Sequence, residues 1–323
     1  MTDLLLSVCL ITYNHVKYIN QAIDSILEQQ TNFDWEIIIA DDYSIDGTRE
    51  ILLDYQKKYP KLIRLILQEQ NVGAARNWID LITSPKAKYI AYFEGDDYWT
   101  DPLKLQKHVD FLEANPDYSA VTANTMFLND GILKYNYTET KELWLKTKFP
   151  ITLTYKDIAS RIAPHTSTWL FRNNIKAFPP SFLNFYVGDM PLFLMICDMG
   201  KVRYFNEIVS VYRVHDNGAI GKIKKNATLI NLRSHFEMLT EVNLFLNNKY
   251  KKETEYSLLE ETYRVIKEES VFKNISEIKK ILKTYLKKSN KNDLSMTEEM
   301  RIYFSYAVGF FIKLKSKLRT SIV

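Results

Sequence analysis

Apolar residues in the first 130 positions alternate between two periods. Leu5 to Ile11 is an uninterrupted apolar run, the pattern of a strand buried on both faces. From Tyr18 to Gln30, Ile19, Ala22, Ile23, Ile26 and Leu27 recur at helical spacing. The alternation then repeats. Trp35–Ala40, Leu62–Leu67, Lys88–Phe93 and Tyr118–Leu128 read as strands, and Asp46–Lys58, Ala74–Ile82 and Pro102–Ala114 as helices. Asp101-Pro102 is a helix-opening pair, with proline in the first turn where its missing N–H costs nothing. Four strand–helix repeats with short connections predict an α/β fold, a mostly parallel sheet flanked by helices.

The pattern is less regular further on. Residues 130–165 mix aromatic, charged and threonine positions without a period, which predicts a long loop with a short helix. Thr166–Phe171 reads as a strand. Asp189–Met199 reads as a helix opened by a carboxylate and closed by Gly200, and Lys201–Phe205 and Ile208–Val214 as two short strands. From about Ala227 onward the texture changes to Lys/Glu-rich amphipathic helices without proline. The expected division is therefore 1–221 for the α/β domain and 222–323 for a helical extension.

Charge supports that division. The whole chain has 323 residues and a net charge of +4, but residues 1–221 carry −5 and residues 222–323 carry +9. Two cysteines, Cys9 and Cys197, exclude a disulfide framework and a cysteine-rich zinc site, so a reducing, cytoplasmic setting is the expectation. The apolar N-terminus carries Asp3 in place of a basic leader, which reads as a strand and not a signal peptide. The longest uncharged apolar run, Ile302–Ile312, falls short of the roughly 20 residues a membrane-spanning helix needs.

The residues just past each early strand are informative. After the first strand come Thr12-Tyr13-Asn14. After the second come Asp41-Asp42, then Ser44, Asp46 and Gly47. After the third come Asn71, Gly73 and Arg76, and after the fourth Glu94-Gly95-Asp96-Asp97-Tyr98-Trp99. In an open parallel sheet these four clusters share one edge, where ligands bind. Helix capping accounts for Asp46 and Asp101. It does not account for the adjacent acids Asp41-Asp42 and Asp96-Asp97, which repel unless a cation or hydrogen-bond donors offset them. A glycine-rich phosphate loop is absent, so a diphosphate would need a bridging metal. Mg2+ and Mn2+ suit oxygen ligands, and Mn2+ also accepts imidazole. Asp97 is the expected ligand, and Asp96 is expected on a ribose hydroxyl. A calcium loop beginning at Asp42 is excluded, because its twelfth position is Leu53.

These residues resemble the family 2 glycosyltransferases of the GT-A fold. The matching pieces are SVCLITYNHVKYINQAIDSILEQ, EIIIADDYSIDGT, QNVGAARN, YIAYFEGDDYW, HTSTWLFR and GDMPLFLMICDMGKVRYFNEIVSVYRVH, spread over residues 5–217. The resemblance implies that Thr12, Tyr13, Asn14 and Asp42, with Asp41 and Gly73 beside them, form the nucleotide base pocket. It puts Asn71 and Arg76 near the nucleoside or its phosphates. Asp96 and Asp97 match the family's metal motif, Asp189 in Gly188-Asp189 matches its catalytic base, and His215 matches a late histidine that helps hold the metal. A base at a helix N-terminus has its ionised form favoured, so Asp189 is expected to be permanently charged. Arg213 is a candidate second cation, and His165 a candidate acceptor or diphosphate contact. Trp99 and Trp169 are candidate sugar-stacking rings, although large aromatics more often belong to a core. His15, His108 and His235 read as structural.

The implied activity is inverting, Mn2+- or Mg2+-dependent transfer of a sugar from a nucleotide-diphosphate donor, a UDP-sugar, to a glycan or lipid-linked acceptor in surface-polysaccharide synthesis. Two alternatives remain. A sugar-nucleotide pyrophosphorylase would need a glycine-rich N-terminal loop, which Ser7–Lys17 lacks. A catalytically silent nucleotide-binding scaffold would be free to lose the acids at 97 and 189. The basic tail, ending Phe310-Phe311-Ile312-Lys313-Leu314-Lys315, fits a helix lying on the anionic inner face of a membrane, apolar side down. It equally fits a helical cap packed on the catalytic domain with its lysines in water. No nucleic-acid motif accompanies the charge.

Overall fold

The computed structural model describes residues 4–129, 131–134, 151–160, 164–185, 188–215, 228–269, 275–288, 293–303 and 305. They belong to two compact units. One draws on Met1–Thr154, Ala163–Ala177 and Ile196–Ile223, and the other on Tyr155–Ile162, Phe178–Met195 and Lys224–Val323. The expected boundary near 221, with Gly218 and Gly221, lies outside the described residues, as do most of 130–165 and the run Phe310–Arg319.

The first unit is built on a sheet. Its strands are β1 (Leu6–Thr12), β2 (Trp35–Asp41), β3 (Ile63–Leu67), β4 (Tyr89–Glu94), β5 (Tyr98–Trp99), β6 (Tyr118–Asn129), β7 (Ile132–Lys134), β8 (Thr152–Leu153), β9 (Leu170–Arg172) and β10 (Lys201–Val214). The order is β3-β2-β1-β4-β9-β6-β10-β5, with β7 on β6 and β8 on β10. β1 pairs in parallel with both β2 and β4. The chain therefore steps from β1 outward through β2 to β3, then returns to the other side of β1 as β4. That reversal opens a crevice at the carboxyl ends of β1, β2 and β4.

The flanking helices are α1 (Ile19–Leu27), α2 (Thr48–Lys58), α3 (Ala74–Ile82) and α4 (Lys104–Ala114). Ile19, Ala22, Ile23 and Ile26 of α1 and Leu105, Val109 and Leu112 of α4 share one core with Leu6, Val8 and Leu10 of β1. The uninterrupted apolar run of β1 is thereby explained, since six of its seven residues are buried.

The sheet is mostly parallel, as expected, with β9 antiparallel between β4 and β6 and β5 antiparallel on β10. Two expectations are corrected. Thr166–Phe171 is not one strand; Thr166–Thr168 form a 3-10 turn before β9. There the His165 carbonyl accepts from Thr168 Oγ1 at 2.7 Å, a side-chain bond that competes with the extended ladder. The two short strands after Gly200 are one strand, β10, with a register irregularity between Phe205 and Ile208.

The second unit is helical. It holds α5 (Tyr155–Ala159), α7 (Thr228–Phe245), α8 (Lys251–Glu269) and α9 (Ile275–Lys288), and α6 (Asp189–Met199) begins in it. Leu232, Phe236 and Leu239 of α7, Leu258 and Ile266 of α8, and Ile278, Leu282 and Leu286 of α9 are buried. α5 joins these helices through stacking of Tyr155 on Tyr250, with centroids 3.9 Å apart, and through Ser257 Oγ donating to the Ala159 carbonyl. No helix among the described residues is long and apolar enough to cross a membrane.

Candidate functional site

The crevice edge is shaped by two residues in the left-handed region, where side chains are seldom found. Asn14 (φ 55°) lies past the end of β1 and Tyr43 (φ 64°) past the end of β2. Cross-bonds hold them. The Asn14 amide donates to Ser44 Oγ at 2.8 Å, and Asn14 Oδ1 accepts from the Ile45 amide at 3.0 Å. Thr12 is buried, while Tyr13 and Tyr43 are exposed at this edge.

The first acid pair divides its labour. Asp41 is fully enclosed, and its carboxylate is occupied by the Ser44 amide and by Arg49 at 2.7 Å. It anchors the end of β2, chiefly through Oδ2. Asp42 Oδ1 accepts from the Val72 amide at 2.7 Å, and Asn71 Nδ2 donates to the Asp42 carbonyl. The loop after β3 is thereby tied to the loop after β2. Gly73 (φ 84°) opens α3. Arg76 is exposed and bonds Asp80.

The second acid pair separates into two clusters. Asp96 Oδ2 lies 3.0 Å from His215 Nε2 and 3.7 Å from His15 Nε2. Burial works against its ionised form, but the His215 hydrogen bond and the two imidazoles prevail and hold the carboxyl below the ordinary range. Asp97 is fully enclosed. Its Oδ1 accepts from the Arg213 amide at 3.0 Å, and its Oδ2 has no hydrogen-bond partner among the described residues. Burial first, and then the charges of Asp96 and Glu94, push this carboxyl well above the ordinary range.

Ligand atoms of Glu94, Asp97 and His165 all lie within 4.8 Å of one another. His165 Nδ1 is 3.8 Å from Asp97 Oδ2 but accepts from the Ser167 amide. Burial lowers this imidazole to about 4, so it is neutral at pH 7. The expected ligands Asp97 and His215 thus fall into different clusters, and the hydrogen bond of His215 goes to Asp96. The partly buried Asp96 carboxylate flanked by two imidazoles is an oxygen–nitrogen donor set that fits a divalent ion, Mn2+ better than Mg2+.

Arg213 ties the second pair to the sheet. Its guanidinium donates to the Asp96 carbonyl and to Gln21 Oε1, between the rings of Tyr18 and Tyr98. Trp99, expected as a sugar platform, is a core residue. It is 3% exposed, donates from Nε1 to the Ser167 carbonyl at 2.7 Å, and packs on Phe93. Trp169 is likewise fully buried.

Asp189 belongs to the second unit. It is exposed, and its Oδ1 accepts from the Met190 amide at 2.7 Å. Surrounding protein nonetheless raises its proton affinity, against that hydrogen bond. With this much accessible surface, solvent screens much of the effect, so the direction alone matters. It runs opposite to the lowering expected from the helix dipole.

Sequence reasoning placed Glu94 and Tyr43 in the strand-end clusters without giving them a role, read His15 as structural, and missed Gln21 and Tyr18. The signal for His15 was present in its place three residues beyond the end of β1, which is a crevice position. Gln21 and Tyr18 lie at the start of a helix and carry no local mark of their contacts.

A family model described as Glycosyl transferase family 2 matches residues 7–178. An uncharacterised protein of Mycobacterium tuberculosis is 45% identical over 112 residues, 35% of this chain and 32% of that protein. A Bacillus subtilis glycosyltransferase named for teichuronic acid biosynthesis is 34% identical over 127 residues, 39% of this chain and 49% of its own. The matches therefore span about a third to a half of these relatives. Among solved structures, S. aureus TarS 1-349 in complex with UDP has a TM-score of 0.64 at 14% identity, covering 97% of this chain and 92% of that one. The mannosyltransferase PcManGT from Pyrobaculum calidifontis, in complex with GDP-Man and Mn2+, has a TM-score of 0.54 at 16% identity, covering 95% and 88%. At such identities the likeness is one of fold.

Proposed function

The chain belongs to glycosyl transferase family 2, and on that premise we propose that it transfers a sugar, with inversion, from a UDP-linked donor to a glycan or lipid-linked acceptor in surface-polysaccharide assembly. The observation that carries the reading is the Asp96 carboxylate held between His215 and His15 at the carboxyl edge of the sheet. The UDP of the TarS complex and the GDP-Man and Mn2+ of the PcManGT complex support a nucleotide donor and a divalent cofactor.

Thr12, Tyr13 and Asn14 receive the base, with Asp42 beside them, and Asn71 and Arg76 approach the nucleoside or its phosphates. Asp96 and His215 would hold Mn2+ or Mg2+, which when bound supplies charge neutralisation for the departing diphosphate. Asp97 and Arg213 position Asp96 by fastening its loop to β10. Asp189, assigned from its Gly-Asp motif, takes the proton of the acceptor hydroxyl while that oxygen bonds the anomeric carbon. The bond to the diphosphate breaks, and its electron pair leaves with the nucleoside diphosphate. Peripheral attachment at the inner membrane face, favoured by the basic last hundred residues, is part of the same reading.

A thermal-shift panel of nucleoside diphosphates and their sugars, with and without Mn2+, tests the donor. UDP with Mn2+ should raise the melting temperature most, and a flat panel would sink the proposal. Asp189→Asn should cut transfer about 100-fold or more while sparing UDP binding. Transfer at the wild-type rate would remove Asp189 from the base role. Asp96→Asn should raise the Mn2+ concentration needed for half-maximal UDP stabilisation, and Asp97→Asn should leave it nearly unchanged.

A further inference from the structure

Helix α9 carries a basic groove that the transfer chemistry does not use. Its apolar residues Ile275, Ile278, Ile281, Leu282 and Leu286 are buried within the helical unit. The side that an amphipathic surface helix would lay into lipid is therefore unavailable, and α9 presents lysine outward. A groove of about 500 Å3 is lined by Lys279, Lys280, Lys283, Thr284, Lys287 and Tyr303. Ser276, Lys280, Thr284 and Lys287 succeed one another by four, four and three residues, one stripe roughly 16 Å long at 1.5 Å per residue.

The neighbouring acids do not neutralise this stripe. Glu277, the acid within α9, turns to Arg233 at 3.3 Å. Glu299 and Asp293 reach Lys279 and Lys283 at 3.2 and 3.5 Å. Among the described residues, Lys280 and Lys287 have no carboxylate partner. Like charges spaced along one helix face cost stability unless something opposes them. Ammonium groups beside hydroxyls suit the point-charge recognition of phosphate oxygens.

We propose that the α9 groove binds phosphate groups, either those of anionic lipid headgroups at a membrane surface or those of a soluble polyphosphate. This deepens the peripheral-attachment part of the proposed function and rests on it only for the lipid source. The binding is electrostatic and needs no apolar insertion, so it is steeply salt-dependent.

The test uses the full chain without any sugar nucleotide, so its failure leaves the transfer reading standing. The probes are inorganic pyrophosphate, phosphatidylcholine vesicles, and the same vesicles containing phosphatidylglycerol. Binding to pyrophosphate or to the anionic vesicles is expected at low salt, with loss at high salt. Lys280→Gln with Lys287→Gln should weaken it roughly tenfold or more, with the melting temperature unchanged. Lys57→Gln with Lys58→Gln, on α2, should not. The two single variants serve if the double variant melts early. Vesicle binding that pyrophosphate does not displace identifies the lipid source, and pyrophosphate binding alone identifies the soluble one. If neither probe binds, or if the double variant binds as the wild type does, the groove is not a phosphate site.

Discussion

Lys104 Nζ lies 4.1 Å from the centroid of the Trp99 ring and has no hydrogen-bond partner among the described residues, although the residue is fully enclosed. Burial lowers its pKa to about 7, with only the charge of Asp101 opposing. Unfolded, the amine titrates near 10.4. Between these values the unfolded chain binds more protons, so stability should rise with pH from about 7 to about 10. Below pH 7 both states are protonated, and the full penalty, on the order of 5 kcal/mol, is present. Lys104→Met keeps the stem's packing and removes the charge. It should stabilise the protein most at pH 7 and least near pH 10. Urea unfolding at pH 7, 8.5 and 10 checks this; an unchanged difference across that range would show that Lys104 does not titrate as described. None of this was legible in the sequence, where Lys104 is one polar residue in an amphipathic helix and its burial depends on Trp99 from another element.

At the scale of elements, the close approach of β4 to β1 constrains the loops at their carboxyl ends. A Cβ at Gly95 would stand 2.9 Å from Thr12 Oγ1 and 3.1 Å from His15 Nδ1. Gly95→Ala must displace one of them, and both border Asp96. The expected result is about 1–2 kcal/mol of lost stability, as for other overpacked sites, together with a weaker Mn2+ effect on UDP binding. Thermal shift with and without the metal separates the two; an Ala variant with wild-type metal response would mean the loop absorbs the methyl without moving Asp96. The elements around this contact were readable because each buried strand and amphipathic helix carries its own period, and α3 and α6 begin and end where the pattern predicts. Periodicity cannot reveal a partner. β9 has only three residues and wedges antiparallel between β4 and β6, and the 3-10 turn before it is held by the Thr168 hydroxyl donating to the His165 carbonyl and the His165 ring accepting from the Ser167 amide. The four crevice clusters were legible from strand ends alone, whereas the division of Asp96 from Asp97 needed the distances to His215 and Arg213.

For the whole molecule, the change of texture near residue 221 suggests that a chain cut there would keep a working α/β unit, but the packing argues otherwise. Tyr155, Ile158 and Ala159 of α5 are buried, and their partners include Tyr250 and Ser257, far downstream. Residues Phe178–Met195, with Asp189 among them, also belong to the helical unit. A chain of residues 1–223 would leave these segments without the helices they pack on. Exposing Tyr155 and Ile158 alone forfeits about 1.5–3 kcal/mol each, a large share of a typical domain's stability. The short chain should therefore melt well below the full chain and be cleaved rapidly within 155–162 by a broad-specificity protease. Charge variants on α9, which leave every buried residue in place, should melt with the full chain. A truncated chain that equals the full chain in melting temperature and protease resistance would show that the early segments fold without their downstream partners, and the division near 221 would then be physical as well as compositional.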